Sequence, residues 1–154
     1  MYLISACLLG VKCKYSGGDN SSKRLIELNK EESFIPVCPE QLGGCPTPRP
    51  PSEICGGCGA DVLNGKCRVK TITGEDVTEQ FIKGAEETLG IAKIYDAKKA
   101  ILKARSPSCG FCSIYDGTFS GTVREGSGVT AELLKRNGIE VYTEENYDEA
   151  NLPR

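Results

Sequence analysis

Three cysteines stand at the ends of apolar segments whose composition is typical of buried strands. Cys7 follows residues 2–6, Cys38 closes residues 33–38, and Cys109 lies just after residues 98–104. The carboxyl ends of parallel strands meet at one edge of a sheet, where such folds bind ligands. Three thiolates there suit an iron–sulfur cluster. An iron without a protein ligand would be a Lewis acid for a soft atom such as sulfur.

The residue counts of the whole chain exclude several kinds of active site. The chain has nine cysteines and no histidine, so a His-based triad and a His-ligated metal are excluded. Proton transfer falls to carboxylates, Lys, Tyr, Ser or Cys. An odd cysteine count excludes a complete set of intramolecular disulfides, and in a reducing cytosol so many thiols indicate metal, cluster or redox chemistry. The alternative is that the three strand-end cysteines are merely buried and structural.

Length and charge predict the broad class of protein. A chain of 154 residues suits a single domain, 1–154, with one core. The net charge of −2 argues against a nucleic-acid-binding face. The N-terminus has no basic leader, and no apolar run approaches membrane-spanning length. We therefore expect a cytoplasmic protein with a small-molecule partner and no nucleic acid polymer or membrane, and the oligomeric state stays open.

The hydrophobic pattern predicts an α/β fold. Helices are predicted at 21–32, 77–95 and 127–137, the second capped by Asp76, and strands at 2–6, 33–38, 98–104 and 139–143. Asn64-Gly65 predicts a hairpin between residues 60–63 and 66–72. Long loops are expected at 39–59 and 106–125, and the acidic tail to Arg154 is expected to be peripheral. The order predicts a Rossmann-like, three-layer fold, with a mainly parallel sheet, helices on both faces and a small hairpin insertion.

Several segments resemble one bacterial enzyme family across nearly the whole chain. They are residues 5–10 (SACLLG), 36–44 (PVCPEQLGG), 47–49 (TPR), 76–78 (DVT), 103–110 (KARSPSCG), 114–119 (IYDGTF) and 128–130 (GVT). Together they look like the thiouracil desulfurases, formerly a domain of unknown function. The resemblance implies a 4Fe-4S cluster on Cys7, Cys38 and Cys109. It also implies that the open iron takes the sulfur of a thiolated uracil, base or nucleotide, while water-derived hydroxide replaces it without net redox chemistry, giving a uracil product and sulfide.

The resemblance also implies roles for polar residues. Glu40 and Ser106 match the positions to which proton transfer is ascribed, although a surface carboxylate and a turn serine are the structural alternatives. Ser108 is a rival to Ser106 as a polar group facing the substrate. Arg49 could bind a substrate phosphate or uracil oxygen through its planar fork, or be a solvated loop charge. Cys13 belongs to the pattern without an assigned role.

Five further cysteines depart from the family pattern. Cys45, Cys55, Cys58 and Cys67 could form a zinc site that clamps the long loop. Cys55 and Cys58 could instead be a redox dithiol, although we do not expect the pair at a strand-to-helix step. A zinc-binding or thiol redox module is therefore the alternative to an enzyme. Cys112, three residues from Cys109, could be a fourth cluster ligand that closes the open iron.

Overall fold

The computed structural model describes residues 1–150, and side chains through residue 148. The strands are β1 (Tyr2–Ser5), β2 (Phe34–Val37), β3 (Ser52–Cys55), β4 (Arg68–Thr71), β5 (Lys99–Leu102), β6 (Ser113–Tyr115), β7 (Val123–Glu125) and β8 (Glu140–Thr143). The α-helices are α1 (Lys23–Leu28), α2 (Pro39–Leu42), α3 (Gly59–Leu63), α4 (Thr78–Ile94) and α5 (Val129–Arg136). Short 3₁₀ helices span Ala6–Leu9 and Tyr147–Ala150. From residue 151 the predicted peripheral tail lies outside the described residues.

Four parallel strands form the central sheet, in the order β2-β1-β5-β8. The register pairs Ser5 with Val37 and Ile4 with Ile101, so the strands that precede the three cysteines end at the same edge. Their residues are almost continuously apolar because both sheet faces are covered. Pro36 is tolerated because β2 is an edge strand.

Helices cover both faces of this sheet, as predicted. Leu3, Ala100 and Leu102 point towards α4 and α5, where they pack with Ala92 and Leu134. The intervening residues of the strands point to the opposite face. There Ile4 and Ile101 pack against Leu25 and Leu28 of α1. The expected α/β fold, with a mainly parallel sheet in three layers, is confirmed.

The predicted hairpin is wrong in its first strand. Residues 60–63 belong to α3, and the partner of β4 is β3, which lies inside the segment expected to be irregular. Asn64 follows the last turn of α3, and Gly65 adopts a φ of +77° there. Asn-Gly favours positive φ, which suits a helix end as well as a hairpin. The second expected loop likewise contains a hairpin, formed by β6 and β7.

The long helix α4 begins differently from its prediction. Its N-cap is Val77, and Asp76 lies one residue earlier. The Asp76 carboxylate still accepts a hydrogen bond from the backbone N–H of Thr78 at 2.9 Å, so it serves the first turn without the predicted capping geometry. In the described part of the chain, no helix is both long and apolar enough to cross a membrane.

A close backbone contact places α2 against α4. A Cβ on Gly84 would lie 1.9 Å from the carbonyl oxygen of Pro39, and one on Gly43 would lie 1.9 Å from that of Gln80. Only glycine allows this approach at either position. The contact fixes α2 directly after β2, where the chain leaves the sheet.

Candidate active site at the strand ends

The ends of β1, β2 and β5 border a cavity of about 500 Å³. Cys7 lies in the 3₁₀ turn after β1, Cys38 is the N-cap of α2, and Cys109 lies in the loop after β5. All three line the cavity, as do Glu40 and Ser106. The parallel topology therefore gathers the predicted site residues other than Ser108, although more than a hundred positions separate Cys7 from Cys109.

The loop that carries Cys109 is held from two sides. The hydroxyl oxygen of Ser106 accepts hydrogen bonds from the backbone N–H groups of Ser108 and Cys109, at 3.1 and 2.9 Å. The first N–H groups of α5 donate to the loop from outside, with Val129 bonded to the carbonyl of Pro107 and Thr130 to that of Ser108, both at 2.9 Å. These bonds satisfy the free donors at the start of the helix and fix the turn.

A fourth thiol lies among the strand-end cysteines. Cys13 is buried and lines the same cavity, its carbonyl accepts a hydrogen bond from the thiol of Cys38 at 3.8 Å, and its own thiol can donate to the sulfur atom of either Cys7 or Cys38. Donation from the Cys13 thiol lowers the pKa of the Cys7 or Cys38 thiol that accepts it to about 7, because it stabilises the thiolate against the opposing effect of burial. The same bond raises the pKa of Cys13. The thiol of Cys7 or Cys38 that accepts this bond is therefore easier to deprotonate than a free thiol.

Cys109 has a different environment. Its side chain is buried, and loss of hydration raises the pKa of its thiol. A hydrogen bond with the side chain of Ser5 acts in the opposite direction. A bound metal would offset the burial effect, since metal-coordinated thiols are deprotonated.

Glu40 and Arg49 form a largely buried ion pair beside the cysteines. The Nε of Arg49 lies 3.4 Å from Oε1 of Glu40, and the two side chains are 5% and 19% exposed. Burial raises the pKa of Glu40, and the positive charge of Arg49 opposes that rise. Glu40 is thus a carboxyl group in a partly dry cavity, which is a setting suited to proton transfer.

The guanidinium of Arg49 is already engaged by the protein. Its terminal nitrogens donate to the carbonyls of Pro46 and Cys13, at 3.0 and 2.9 Å, and to the hydroxyl of Thr47 at 3.0 Å. Arg49 therefore ties Glu40 to the loop that holds Cys13. Its predicted contact with substrate stays a prediction.

The two serines of the Cys109 loop occupy different places. Ser106 lines the cavity, and its oxygen already accepts two N–H bonds, so its own proton is left to donate. Ser108 is 1% exposed, its hydroxyl lies 3.0 Å from that of Thr130, and it is not part of the cavity lining. Substrate binding by Ser108 stays a prediction that this arrangement does not favour.

The remaining five cysteines do not line this cavity. Cys112 is exposed and outside the cavity lining, although only two residues separate it from Cys109. Cys45 is buried in the core that includes Val62 and Phe81. Cys58 and Cys67 lie close to Asp61. The thiol of Cys58 donates a hydrogen bond to the Asp61 carboxylate at 3.4 Å. Burial raises the pKa of Cys67, and the negative charge of Asp61 adds to that rise.

The four-cysteine zinc site stays a prediction. Among residues 1–148, no three Cys, Asp or Glu side chains are arranged to hold a single metal ion. The strand-end thiols line a shared cavity, and cysteine thiolates are the usual ligands of iron–sulfur clusters. The expectation that Cys55 and Cys58 avoid a strand-to-helix step is wrong, since Cys55 ends β3 and Cys58 is the N-cap of α3.

Fold and site together define an α/β protein with a cysteine-lined cavity at the carboxyl edge of a parallel sheet. Residues 2–146 match the model of the 2-thiouracil desulfurase family. The chain belongs to this family, which confirms the resemblance seen in its motifs.

Two similar proteins align with this chain over nearly its whole length. The uncharacterized protein YbbK of Bacillus subtilis (strain 168) is 51% identical over 144 residues, which are 94% of this chain and 95% of YbbK. A solved structure of the 4Fe-4S-dependent thiouracil desulfidase TudS is 41% identical, with a TM-score of 0.83 over 96% of this chain and 93% of TudS.

Proposed function

We propose that this protein is an iron–sulfur-dependent desulfurase that hydrolyses the C=S bond of a thiolated uracil. The observation that carries the proposal is the convergence of Cys7, Cys38, Cys109, Glu40 and Ser106 on one cavity. Membership of the 2-thiouracil desulfurase family and the similarity to a 4Fe-4S-dependent thiouracil desulfidase support it. The substrate is a small thiolated pyrimidine that enters this cavity, and we propose a cytoplasmic location.

Cys7, Cys38 and Cys109 are the proposed ligands of a 4Fe-4S cluster. Their thiols come from three separate strand ends and border the cavity, and a hydrogen bond from Cys13 lowers the pKa of Cys7 or Cys38. When bound, a cluster on three cysteines supplies one iron free to accept a soft sulfur atom as a Lewis acid, which requires no electron transfer. The exposed position of Cys112 supports its exclusion from the ligand set.

Glu40 is the proposed proton-transfer residue. Water adds its oxygen to the thiocarbonyl carbon, the C–S bond breaks, and the sulfur leaves as H₂S, or as HS⁻ with one proton passed to solvent, so that both protons of the water are accounted for. Atoms and electrons balance without an oxidant or reductant. A buried carboxylate with a raised pKa takes a proton from water and returns it to the departing sulfur more readily than a solvated one. Arg49 orients Glu40 for this transfer through their ion pair.

Ser106 is the proposed hydrogen-bond donor beside the reacting atoms. Because its oxygen accepts two backbone N–H groups and the residue lines the cavity, its O–H is left to donate to a bound substrate. Such a donor stabilises charge that develops as the C–S bond breaks. The same hydroxyl fixes the Cys109 turn, so one residue links the cluster loop to the substrate.

Sulfide release tests the proposal. Protein purified anaerobically with its full iron content is incubated with 2-thiouracil, 4-thiouracil and their nucleotides, and free sulfide and uracil products are measured. We expect stoichiometric sulfide and product without added reductant, and incorporation of ¹⁸O from labelled water into the product. A fully loaded protein that released no sulfide from any of these compounds would contradict the proposed function.

A further inference from the structure

Three aromatic side chains line the cavity that holds the cysteines. They belong to Tyr15, Tyr115 and Phe119, and they come from two different loops and from β6. Tyr15 and Tyr115 are 49% and 36% exposed, and Phe119 is half-buried. Within the described residues none of the three rings packs on another aromatic ring, since the ring pair found is Tyr2 with Phe34. An aromatic surface is therefore available inside a cavity that is also lined by cysteines, by charged groups and by aliphatic residues such as Val37 and Ile72.

Phe119 is held there in an unusual backbone conformation. It lies in the loop between β6 and β7 with a φ of +56°, which is uncommon for a non-glycine residue and unfavourable for a bulky one. Such conformations persist only where surrounding contacts enforce them, and they cluster at functional sites.

The enforcing contact is a buried carboxylate. Glu53 of β3 is 8% exposed, and its Oε1 accepts hydrogen bonds from the backbone N–H groups of Gly117 and Phe119, at 2.9 and 3.1 Å. Gly117 has a φ of +93°, and a Cβ there would lie 2.4 Å from the carbonyl oxygen of Ile54. The loop between β6 and β7 thus packs directly against the β3–β4 hairpin, and Glu53 fixes the position of Phe119.

We propose that Phe119 is the stacking surface for the pyrimidine ring of the substrate, and that Glu53 is the residue that positions it. The inference rests on the proposed function and names the group that orients the base. A thiolated pyrimidine is planar, so an apolar flat side chain fixes the plane of the ring while its thiocarbonyl points towards the cysteines. Stacking of a base on an aromatic side chain is tolerant of ring substituents. The site is therefore expected to accept 2-thio and 4-thio compounds through the same face.

Substitution of Phe119 tests the stacking. For Phe119→Ala holoprotein we expect KM for 2-thiouracil and the inhibition constant of uracil to rise by roughly 5- to 150-fold. Phe119→Leu keeps an apolar side chain without the flat face and should resemble Phe119→Ala, whereas Phe119→Tyr should retain binding. Tyr95→Ala removes an exposed aromatic side chain outside the cavity and is the matched control. Unchanged constants in Phe119→Ala would overturn the proposal.

A binding measurement separates this proposal from the proposed function. The chain contains no tryptophan, so Phe119→Trp holoprotein carries a single indole at the stacking position. Titration with uracil should change its fluorescence saturably, and Tyr95→Trp should show no such change. If the wild type releases sulfide but the Phe119→Trp protein shows no saturable fluorescence change with uracil, the stacking proposal is overturned and the proposed function is not. Saturable binding by a loaded protein that releases no sulfide would retain the stacking surface and overturn the proposed function.

The role of Glu53 is tested by a double-mutant cycle. If Glu53 acts through Phe119, Glu53→Ala should raise the inhibition constant of uracil in the wild type but have little further effect in Phe119→Ala. Glu53→Gln keeps an oxygen that can accept the two N–H bonds and should recover part of the loss. Iron content should stay unchanged in all these variants. Additive effects of the two alanine substitutions would overturn the positioning role.

Discussion

The nine cysteines divide between two regions that differ in how the chain assembles them. One region is the edge of the parallel sheet, where the thiols of Cys7, Cys13, Cys38 and Cys109 line a single cavity. The other is the hairpin side of the molecule, which contains Cys45, Cys55, Cys58, Cys67 and Cys112. The second group is closer together in sequence, yet none of its members lines this cavity, and among the described residues neither group is arranged to hold a single metal ion.

The comparison shows that topology, rather than local spacing, builds this site. Cys55 and Cys58 are separated by two glycines, but the thiol of Cys58 is bonded to the carboxylate of Asp61 instead of facing a cavity. Cys7 and Cys38 are distant in sequence and still meet, because β1 and β2 are neighbouring parallel strands that end together. Substitutions in the two regions test this difference.

The largest effect is expected at the proposed ligands. Cys38→Ser and Cys109→Ser should lose nearly all bound iron, the visible absorbance of the cluster and all sulfide release, because a serine oxygen is a poor substitute for thiolate on iron. Cys112→Ser is the matched control and should keep the wild-type iron content. Equal iron loss in Cys112→Ser would place that residue among the ligands.

The next largest effect is expected at Glu40. Glu40→Gln keeps the size of the side chain and removes its capacity to transfer protons, so kcat should fall by about 10²- to 10⁴-fold. Iron content should be unchanged, because Glu40 is not a proposed ligand. Glu31→Gln, at an exposed position after α1, should leave kcat unchanged. A Glu40→Gln enzyme with wild-type kcat would remove Glu40 from the mechanism.

An intermediate effect is expected at Cys13. We expect Cys13→Ser to keep the cluster, since a hydroxyl can replace the thiol as donor to the sulfur atom of Cys7 or Cys38. Cys13→Ala removes this bond and should weaken cluster retention by about 10- to 100-fold, as loss of outer-sphere partners of metal ligands commonly does. Iron loss in Cys13→Ser as complete as in Cys38→Ser would identify Cys13 as a ligand.

A smaller effect, on stability, is expected where α2 meets α4. Gly84→Ala would push a methyl group against the carbonyl of Pro39, so the free energy of unfolding should fall by about 1–3 kcal/mol. Gly90→Ala in the same helix has open space around it and should raise stability by up to about 1 kcal/mol. Thermal unfolding of the two proteins measures the difference. A Gly84→Ala protein as stable as the wild type would show that α2 does not depend on this contact.

The strand-end cysteines could be predicted from the sequence, because for them the local hydrophobic pattern and the rule for parallel sheets agree. Apolar runs before Cys7, Cys38 and Cys109 identify strands, and the rule for parallel sheets then places their ends together. Cys13 could not be found this way, because its position depends on long-range contacts such as the bond from Arg49 to its carbonyl. Glu53 was missed for the same reason: its strand lies among prolines and glycines and is defined by pairing with β4.

The first strand of the predicted hairpin failed for a different reason. Asn64-Gly65 favours positive φ, and that preference does not distinguish a turn between strands from the end of a short helix. The deciding contacts are local but involve side chains: the carboxylate of Asp61 accepts the N–H of Cys58 at 3.0 Å and starts α3. Periodicity alone does not show this bond.

The most direct test of the central claim is the iron and acid-labile sulfide content of a variant that lacks every hairpin-side thiol except that of Cys45, which is buried in the core. The variant carries Cys55→Ser, Cys58→Ser, Cys67→Ser and Cys112→Ser, and is purified anaerobically beside the wild type, with circular dichroism to show that it is folded. We predict the same iron and sulfide per chain and the same rate of sulfide release as in the wild type. A folded variant that lost its iron and labile sulfide would contradict a cluster held at the sheet edge.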